Sequence, residues 1–344
     1  MTTPLIAVCM ATHEPDRTLL ERQVESLRAQ HHTRFVCLVC DDASSTAALD
    51  AIHHICAGDD RFVVCENGER LGFYRNFERA LRLVREDAEY VALCDQDDVW
   101  LPAKLTTLLD ALHDSDALLA YGDMTIETAD GRRLADSYWT DRRNNSSRLG
   151  SLLLVNTVSG AASLFRRRLL DDALPFPRVR ASAYHDHWLA CTALALGDID
   201  FVDRPLQAYV QHAGNIVGRR RDASGDLRGG LVHAARRFAR HPRSRLRATL
   251  FNARRYYEDD VLVRQTFASE LQCRLEGRMS PHKAHDVACV AGLPSSLRSF
   301  LWLLARSASD VRGESETLGI ENQLLKGTLW HHLQRFKAWP RHRP

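Results

Sequence analysis

The stretch Tyr90-Val91-Ala92-Leu93-Cys94-Asp95-Gln96-Asp97-Asp98-Val99-Trp100 is a short apolar run that closes on three carboxylates. Five consecutive apolar residues read as a strand covered on both faces, and the acidic group as the loop at its carboxyl end. The pattern recurs on either side: Phe35 to Cys40 runs into Asp41-Asp42-Ala43-Ser44, and Leu5 to Ala11 into Thr12. Phe62 to Glu66 and Ala117 to Tyr121, the latter followed by Gly122-Asp123, add two more strands. Between them, Asp16 to Gln30 puts Leu20, Val24 and Leu27 on one helical face. Phe77, Leu81 and Val84 repeat that spacing, as do Leu105, Leu108 and Leu112 after Pro102. Strands alternating with helix-period segments predict an α/β fold with a parallel sheet and crossover helices. Alternation resumes at Gly160 to Phe165, and Phe201-Val202 and Tyr209-Val210 follow the apolar helix His187 to Leu196.

The chain has 344 residues, 45% apolar and 26% charged, which suits a sizeable core and excludes a disordered tail, a collagen-like rod or a small disulfide scaffold. Residues 1–224 carry 25 Lys and Arg against 33 Asp and Glu, whereas residues 225–344 carry 21 against 11. This balance predicts an acidic domain over 1–224 with a basic, helical extension over 225–344, joined where Arg219-Arg220-Arg221 leads into Gly225 and Gly229-Gly230. The polar segment 122–150, with a turn at Asp130-Gly131, has the length of a lid. No basic leader precedes Leu5 to Ala11, and no apolar run approaches the roughly 18 residues of a spanning helix, so a cytoplasmic chain is expected. Of nine cysteines, Cys9, Cys37, Cys40, Cys65 and Cys94 fall in strand-like runs and read as buried free thiols. Cys37-x-x-Cys40 does not read as a metal or redox pair, because residues three apart in a strand face opposite sides.

In open parallel sheets the ligand crevice lies at the carboxyl ends of the strands, which here are acidic. Two carboxylates about 5 Å apart repel by roughly 3 kcal/mol at an effective dielectric of about 20, and a divalent hard ion relieves that repulsion. Magnesium or manganese would leave positions free for phosphate oxygens. Asp42 and Asp98 have helix capping as their alternative role. Neither Gly-x-Gly-x-x-Gly after the first strand nor Gly-x-x-x-x-Gly-Lys-Ser/Thr occurs, which disfavours a Rossmann dinucleotide site and a P-loop.

Four motifs across residues 4–218 resemble the inverting nucleotide-sugar glycosyltransferases of family 2: Val8-Cys9-Met10-Ala11-Thr12; Asp41-Asp42-Ala43-Ser44; Asp95-Gln96-Asp97-Asp98-Val99-Trp100 with Pro102-x-Lys104-Leu105; and His185-Asp186-His187-Trp188 with Gln211-His212-Ala213-Gly214-Asn215. The resemblance implies the GT-A fold: a mixed, mostly parallel sheet flanked by helices, with a Rossmann-like nucleotide-binding half. It implies that Thr12 and Asp41 meet the donor's nucleobase and ribose, that Asp95 meets ribose or sugar, and that Asp97, with His212, holds Mn2+ or Mg2+. Inversion needs one general base opposite the leaving diphosphate, and Asp186 stands where the family places it. Asn76 and Arg75, in Leu71-Gly72-Phe73-Tyr74-Arg75-Asn76, are expected beside the donor, Arg75 at phosphate. Ser159, Gly160 and Trp188 are expected on the acceptor side, Trp188 with packing as its alternative. The motifs look most like bacterial rhamnosyltransferase-type members building cell-wall or surface polysaccharide, so dTDP-rhamnose is the first donor expected and UDP-sugars the next. The acceptor is then a saccharide or lipid-linked saccharide.

The arginines of the extension, Arg236 to Arg255, beside Phe300, Leu301, Trp302, Leu303 and Leu304, suit an anionic membrane surface, placing the protein peripherally on the inner face of the plasma membrane. Packing on the catalytic domain or pairing of two copies is the other reading of these helices. Two competing functions remain: a nucleotidyltransferase, which would want a Gly-rich loop where Thr12 to Arg17 has no glycine, and nucleic-acid binding through the arginines, which leaves the carboxylates without a role.

Overall fold

The computed structural model describes residues 3–139, 144–179, 183–212, 252–311, 317 and 319–338. The strands are β1 (Ile6–Thr12), β2 (Phe35–Asp41), β3 (Phe62–Glu66), β4 (Tyr90–Cys94), β5 (Val99–Trp100), β6 (Leu119–Thr128), β7 (Arg133–Ala135), β8 (Ser163–Arg166) and β9 (Ile199–Gln211). The helices before the undescribed segment 213–251 are α1 (Arg17–Arg28), α2 (Thr46–Cys56), α3 (Phe73–Arg82), α4 (Lys104–Ser115), α5 (Leu149–Leu154), α6 (Leu170–Ala173) and α7 (His185–Leu196). Beyond it come α8 (Leu262–Arg274), α9 (Pro281–Ala291), α10 (Leu297–Val311) and α11 (Ile320–Ala338).

One sheet runs in the order β3-β2-β1-β4-β8-β6-β9-β5, with β7 on β6. The first four strands are parallel, as βαβ crossovers demand, and β8 is antiparallel to both β4 and β6. The sheet is therefore mixed, in keeping with the expected fold class. Register sets the cleft: Thr12 pairs with Asp41 and Met10 with Cys94, so β1, β2 and β4 end at one edge. Local chemistry agrees at the crossovers. Asp16 Oδ1 accepts from Leu19 N at 3.1 Å to cap α1, and Gly72, at φ +80°, supplies the left-handed turn into α3.

Alternate strand residues feed two cores. Val8, Met10, Cys37 and Val39 pack under α1, α2 and α4, while Cys9, Leu38, Cys40 and Leu93 pack under α3, α5 and α7. Cys37 and Cys40 thus face opposite sides, as a strand requires. The extension shares the second core: Phe267 on α8 meets Trp188 at 5.3 Å and His187 at 5.4 Å between ring centroids, and Asp286 on α9 accepts from Gly150 N at 3.0 Å. The linker and arginine run expected at 219–247, with the boundary at 225, lie outside the described residues.

The structure departs from expectation around Gly160, where residues Gly160–Ala162 form a 3-10 turn ahead of β8, and in β6 and β9. The strand predicted to end before Gly122-Asp123 continues to Thr128, because β9 pairs along all of β6 and absorbs a register shift at those residues. Asp123 Oδ1 accepts from Met124 N at 2.7 Å and from Tyr138 N at 3.0 Å. Phe201-Val202 and Tyr209-Val210 belong to one 13-residue strand, not two.

Candidate active site

The carboxyl ends of β1 and β2 carry Thr12 and Asp41, both buried, with Thr12 Oγ1 donating to Asp41 Oδ1 at 3.1 Å. Asp41 also accepts from Ser44 Oγ at 2.6 Å and Ser44 N at 2.8 Å, which folds the loop tightly back. Glu14 and Ala43 flank this edge at φ +42° and +55°, a conformation disfavoured by L residues and held here by the bonds of Glu14 to Ser44 and Ser45. Asp42 neither caps α2 nor faces solvent. It accepts from Leu71 N at 2.7 Å, Gly72 N at 2.8 Å and Asn67 Nδ2 at 3.0 Å, fixing the turn into α3.

After β4, Gln96 bridges to β1 by accepting from His13 N at 2.8 Å. Asp97 lies on the open side, where its Oδ2 is 2.8 Å from His212 Nε2, at the end of β9. Asp95 sits behind it, its carboxyl raised to about 7 by burial first, then by the charges of Asp97 and Asp186. Asp98 turns the other way, wholly buried, accepting from Gln207 Nε2 at 2.9 Å and Val210 N at 3.2 Å. Burial, with Asp95 and Asp97 beside it, holds its carboxyl well above the usual range. Lys104 Nζ, also fully buried, donates to Gln207 Oε1 at 2.5 Å and to Ala161 O, and lies 3.3 Å from the Trp100 ring centroid. Burial lowers this ammonium to about 7.

Across the cleft, Asp186 is in the first turn of α7. Its Oδ1 accepts from His187 N at 2.6 Å and its Oδ2 from Gly160 N at 3.4 Å. Burial nonetheless raises it to about 6. His185 stacks on Phe77 with centroids 3.8 Å apart, and burial drops it to about 3, so it stands neutral beside the carboxylate. His187 is likewise lowered to about 3 by burial and meets Leu152 O at 2.7 Å. Ser159 leads into the tight turn that presents Gly160 N to Asp186.

The structure thus brings together Thr12, Asp41, Asp95, Asp97, His212, Asp186, Ser159 and Gly160. Asn76 and Trp188 point into the protein instead, whereas Arg75 pairs with Glu78 and donates to Phe176 O and Pro177 O through Nη1 and Nη2 while its side chain stays 35% exposed. Asn76 donates to Cys40 O at 2.8 Å and accepts from Asn67, so it is a buried pin between β2 and the β3 loop. Trp188 is fully buried, its Nε1 donating to Ala173 O at 2.7 Å and its ring packed on Phe267, so the packing alternative holds. Gly214 and Asn215 lie outside the described residues. Sequence reasoning passed over Gln207 and Asn67. Asn67 follows β3 directly and lines a cavity of about 410 Å³ with Gly68, Glu69, Leu71 and Arg79.

For a divalent ion, the described residues contain no group of three or more ligating side chains. The donor set is the carboxylate–imidazole pair Asp97–His212 beside the under-compensated Asp95. That set fits a hard cation that keeps some waters and takes its remaining ligands from phosphate.

Residues 7–174 match the model of Glycosyl transferase family 2, and this segment is a family 2 glycosyltransferase domain. Among similar proteins is the Escherichia coli UDP-Glc:alpha-D-GlcNAc-diphosphoundecaprenol beta-1,3-glucosyltransferase WfaP, 24% identical over 123 residues, which are 36% of this chain and 47% of WfaP. Matches to two uncharacterized glycosyltransferases span 36% and 62% of those relatives' lengths. In fold, the chain resembles S. aureus TarS 1–349 in complex with UDP-GlcNAc, with TM-score 0.55 and 14% identity over 98% of this chain and 93% of that one. It also resembles the mannosyltransferase PcManGT from Pyrobaculum calidifontis in complex with GDP-Man and Mn2+, with TM-score 0.50 and 16% identity over 96% and 88%.

Gly160 is where space at this site is tightest. A Cβ there would stand 2.9 Å from Asp186 Cβ, 3.1 Å from His185 Nε2 and 3.2 Å from Leu93 Cδ1. Gly160→Ala is expected to destabilise the fold by about 1–3 kcal/mol through overpacking, read from urea unfolding; a wild-type midpoint would show that the turn yields freely.

Proposed function

We propose that the protein is an inverting, metal-assisted glycosyltransferase that moves a sugar from a nucleoside-diphosphate sugar to a hydroxyl of a saccharide or lipid-linked saccharide in bacterial polysaccharide synthesis. The observation that carries this reading is the convergence of Asp97 and His212 with Asp95 on one side of a cleft whose other side holds Asp186. Thr12 and Asp41, at the ends of β1 and β2, receive the nucleoside, and Asp95 the ribose or sugar. Asp97 and His212 would hold Mn2+ or Mg2+, which when bound neutralises charge on the departing diphosphate. Asp186 accepts the acceptor's hydroxyl proton as that oxygen attacks the anomeric carbon from the face opposite the diphosphate. Burial favours this role, since a carboxylate deprived of water takes up a proton near neutral pH more readily than an exposed one. Ser159 and Gly160 form the acceptor-side wall.

Support for a nucleotide-sugar donor comes from the neighbours, which hold UDP-GlcNAc and GDP-Man, and support for a lipid-linked acceptor from the WfaP likeness. The dTDP-rhamnose expectation rests on motif resemblance alone. Calorimetry with dTDP, UDP, GDP and CDP, each with Mn2+ and with EDTA, separates these donors. Binding of one diphosphate that needs metal, and that Asp97→Ala abolishes, is the expected result. Equal affinity in Mn2+ and EDTA would remove the metal assignment, and no binding to any of them would remove the reading.

Asp186→Asn should lower turnover by about two orders of magnitude or more with diphosphate affinity nearly intact. In the wild type, kcat/KM should rise with pH through about 6 as Asp186 ionises, then level off. A flat profile between pH 5 and 7, or a wild-type rate for Asp186→Asn, would dismiss it as the base.

No described helix is long and apolar enough to cross a membrane. Leu303 is buried in the shared core, but Leu297, Leu301 and Leu304 line one face of α10 with 72%, 54% and 46% of their surface exposed, beside the exposed Arg298. We place this face against an anionic membrane, from which the cleft would reach a lipid-linked acceptor. Vesicles of phosphatidylglycerol in phosphatidylcholine should carry the protein in flotation, and Leu297→Ser with Leu301→Ser should release it; equal behaviour of variant and wild type would leave this face without that role.

A further inference from the structure

Cys40 and Cys65 are registered partners on the parallel strands β2 and β3. Registered residues of a parallel pair face the same side, and neighbouring strands lie about 4.8 Å apart, within the Cα separation that a disulfide bridges. The two side chains lie on the sheet face that α3 covers, and Cys65 Sγ donates to Val63 O at 3.8 Å. They differ in access: Cys40 is buried, whereas Cys65 is partly exposed at the edge of the sheet. Arg79 lies beside Cys65, its Nη2 donating to Glu66 O at 3.1 Å, and lines the cavity of about 410 Å³ that opens past Asn67 and Gly68. Because Cys65 is itself partly exposed, a small solute can reach the outer sulfur at the edge of the sheet.

We propose that Cys40 and Cys65 are a peroxide-reactive dithiol, in which Cys65 is oxidised first and Cys40 resolves it to a disulfide. The neighbouring Cys40, helped by the Arg79 charge, brings the Cys65 thiol down to about 7, while Cys65 and burial push Cys40 up. The outer sulfur is thus the nucleophile and the inner one the reserve, a partly exposed low-pKa thiol beside a resolving partner. In the first step the Cys65 thiolate attacks hydrogen peroxide: an S–O bond forms, the O–O bond breaks and hydroxide leaves, giving the sulfenic acid. In the second, the Cys40 sulfur attacks that of Cys65: the S–S bond forms, the S–O bond breaks, and water departs with the Cys40 proton. The dithiol loses two electrons and the peroxide is reduced to two waters.

The test needs no knowledge of donor or acceptor, so its outcome and that of the glycosyltransferase reading are independent. The full-length protein is treated with hydrogen peroxide, alkylated and mapped without reduction by fragmentation mass spectrometry. The expected result is a Cys40–Cys65 linkage reversed by dithiothreitol, with Cys65 losing its free thiol several-fold sooner than the exposed Cys273. In Cys40→Ser, Cys65 should stop at a sulfenic acid trapped by dimedone. Absence of the linkage, or loss of the Cys65 thiol no faster than that of Cys273, would overturn the proposal.

Discussion

Four carboxyl groups, those of Asp95, Asp97, Asp98 and Asp186, lie at one edge of the sheet, where burial first and neighbouring charge second press Asp95 and Asp98 toward their neutral forms. Each is handled differently. Asp98 is pressed toward its neutral form and wired into β9. Asp97 is matched with an imidazole. Asp186 accepts two backbone N–H groups, which offsets part of its burial. Asp95 is left with the least compensation, its carboxyl raised by burial and by the charges of Asp97 and Asp186.

The wiring of Asp98 is what gives the cleft its shape. Lys104 and Gln207 are buried without exposure, and together they join the loop after β4, the start of α4, the middle of β9 and the turn at Ala161. Burying an ammonium is costly unless its hydrogen bonds are met, and Lys104 meets them with two oxygens and the Trp100 ring. Because Ala161 follows Gly160, the same network reaches the turn that donates to Asp186. Because Gln207 and Val210 precede His212 on one strand, it also sets how far β9 advances toward Asp97.

The C-terminal helices enter this arrangement from behind. Phe267 seals Trp188 and His187, residues on the helix that begins with Asp186. Asp286 caps the short α5, whose Leu152 carbonyl meets His187. The described extension is thus part of the core that holds α7, while its outer leucines remain in solvent.

Much of the first half of the sheet was legible in the chain itself. β3 and β4 have the bounds expected from their apolar runs, and Thr12, Asp41 and the acidic turn after β4 lie at the strand ends, because alternation and turn chemistry are local signals. The features the chain could not disclose depend on partners distant in sequence. β8 inserts antiparallel between β4 and β6, and β6 runs through Gly122-Asp123 because β9, some 80 residues on, pairs along it. Asn76 and Trp188 have the chemistry of ligand-binding residues, yet Cys40 and Ala173 had already claimed their side-chain N–H groups. The local pattern of apolar and acidic residues determined which strands form and where charge collects. Only the tertiary structure decided which polar groups stay open to a ligand, because a side chain is free only when no distant partner satisfies it.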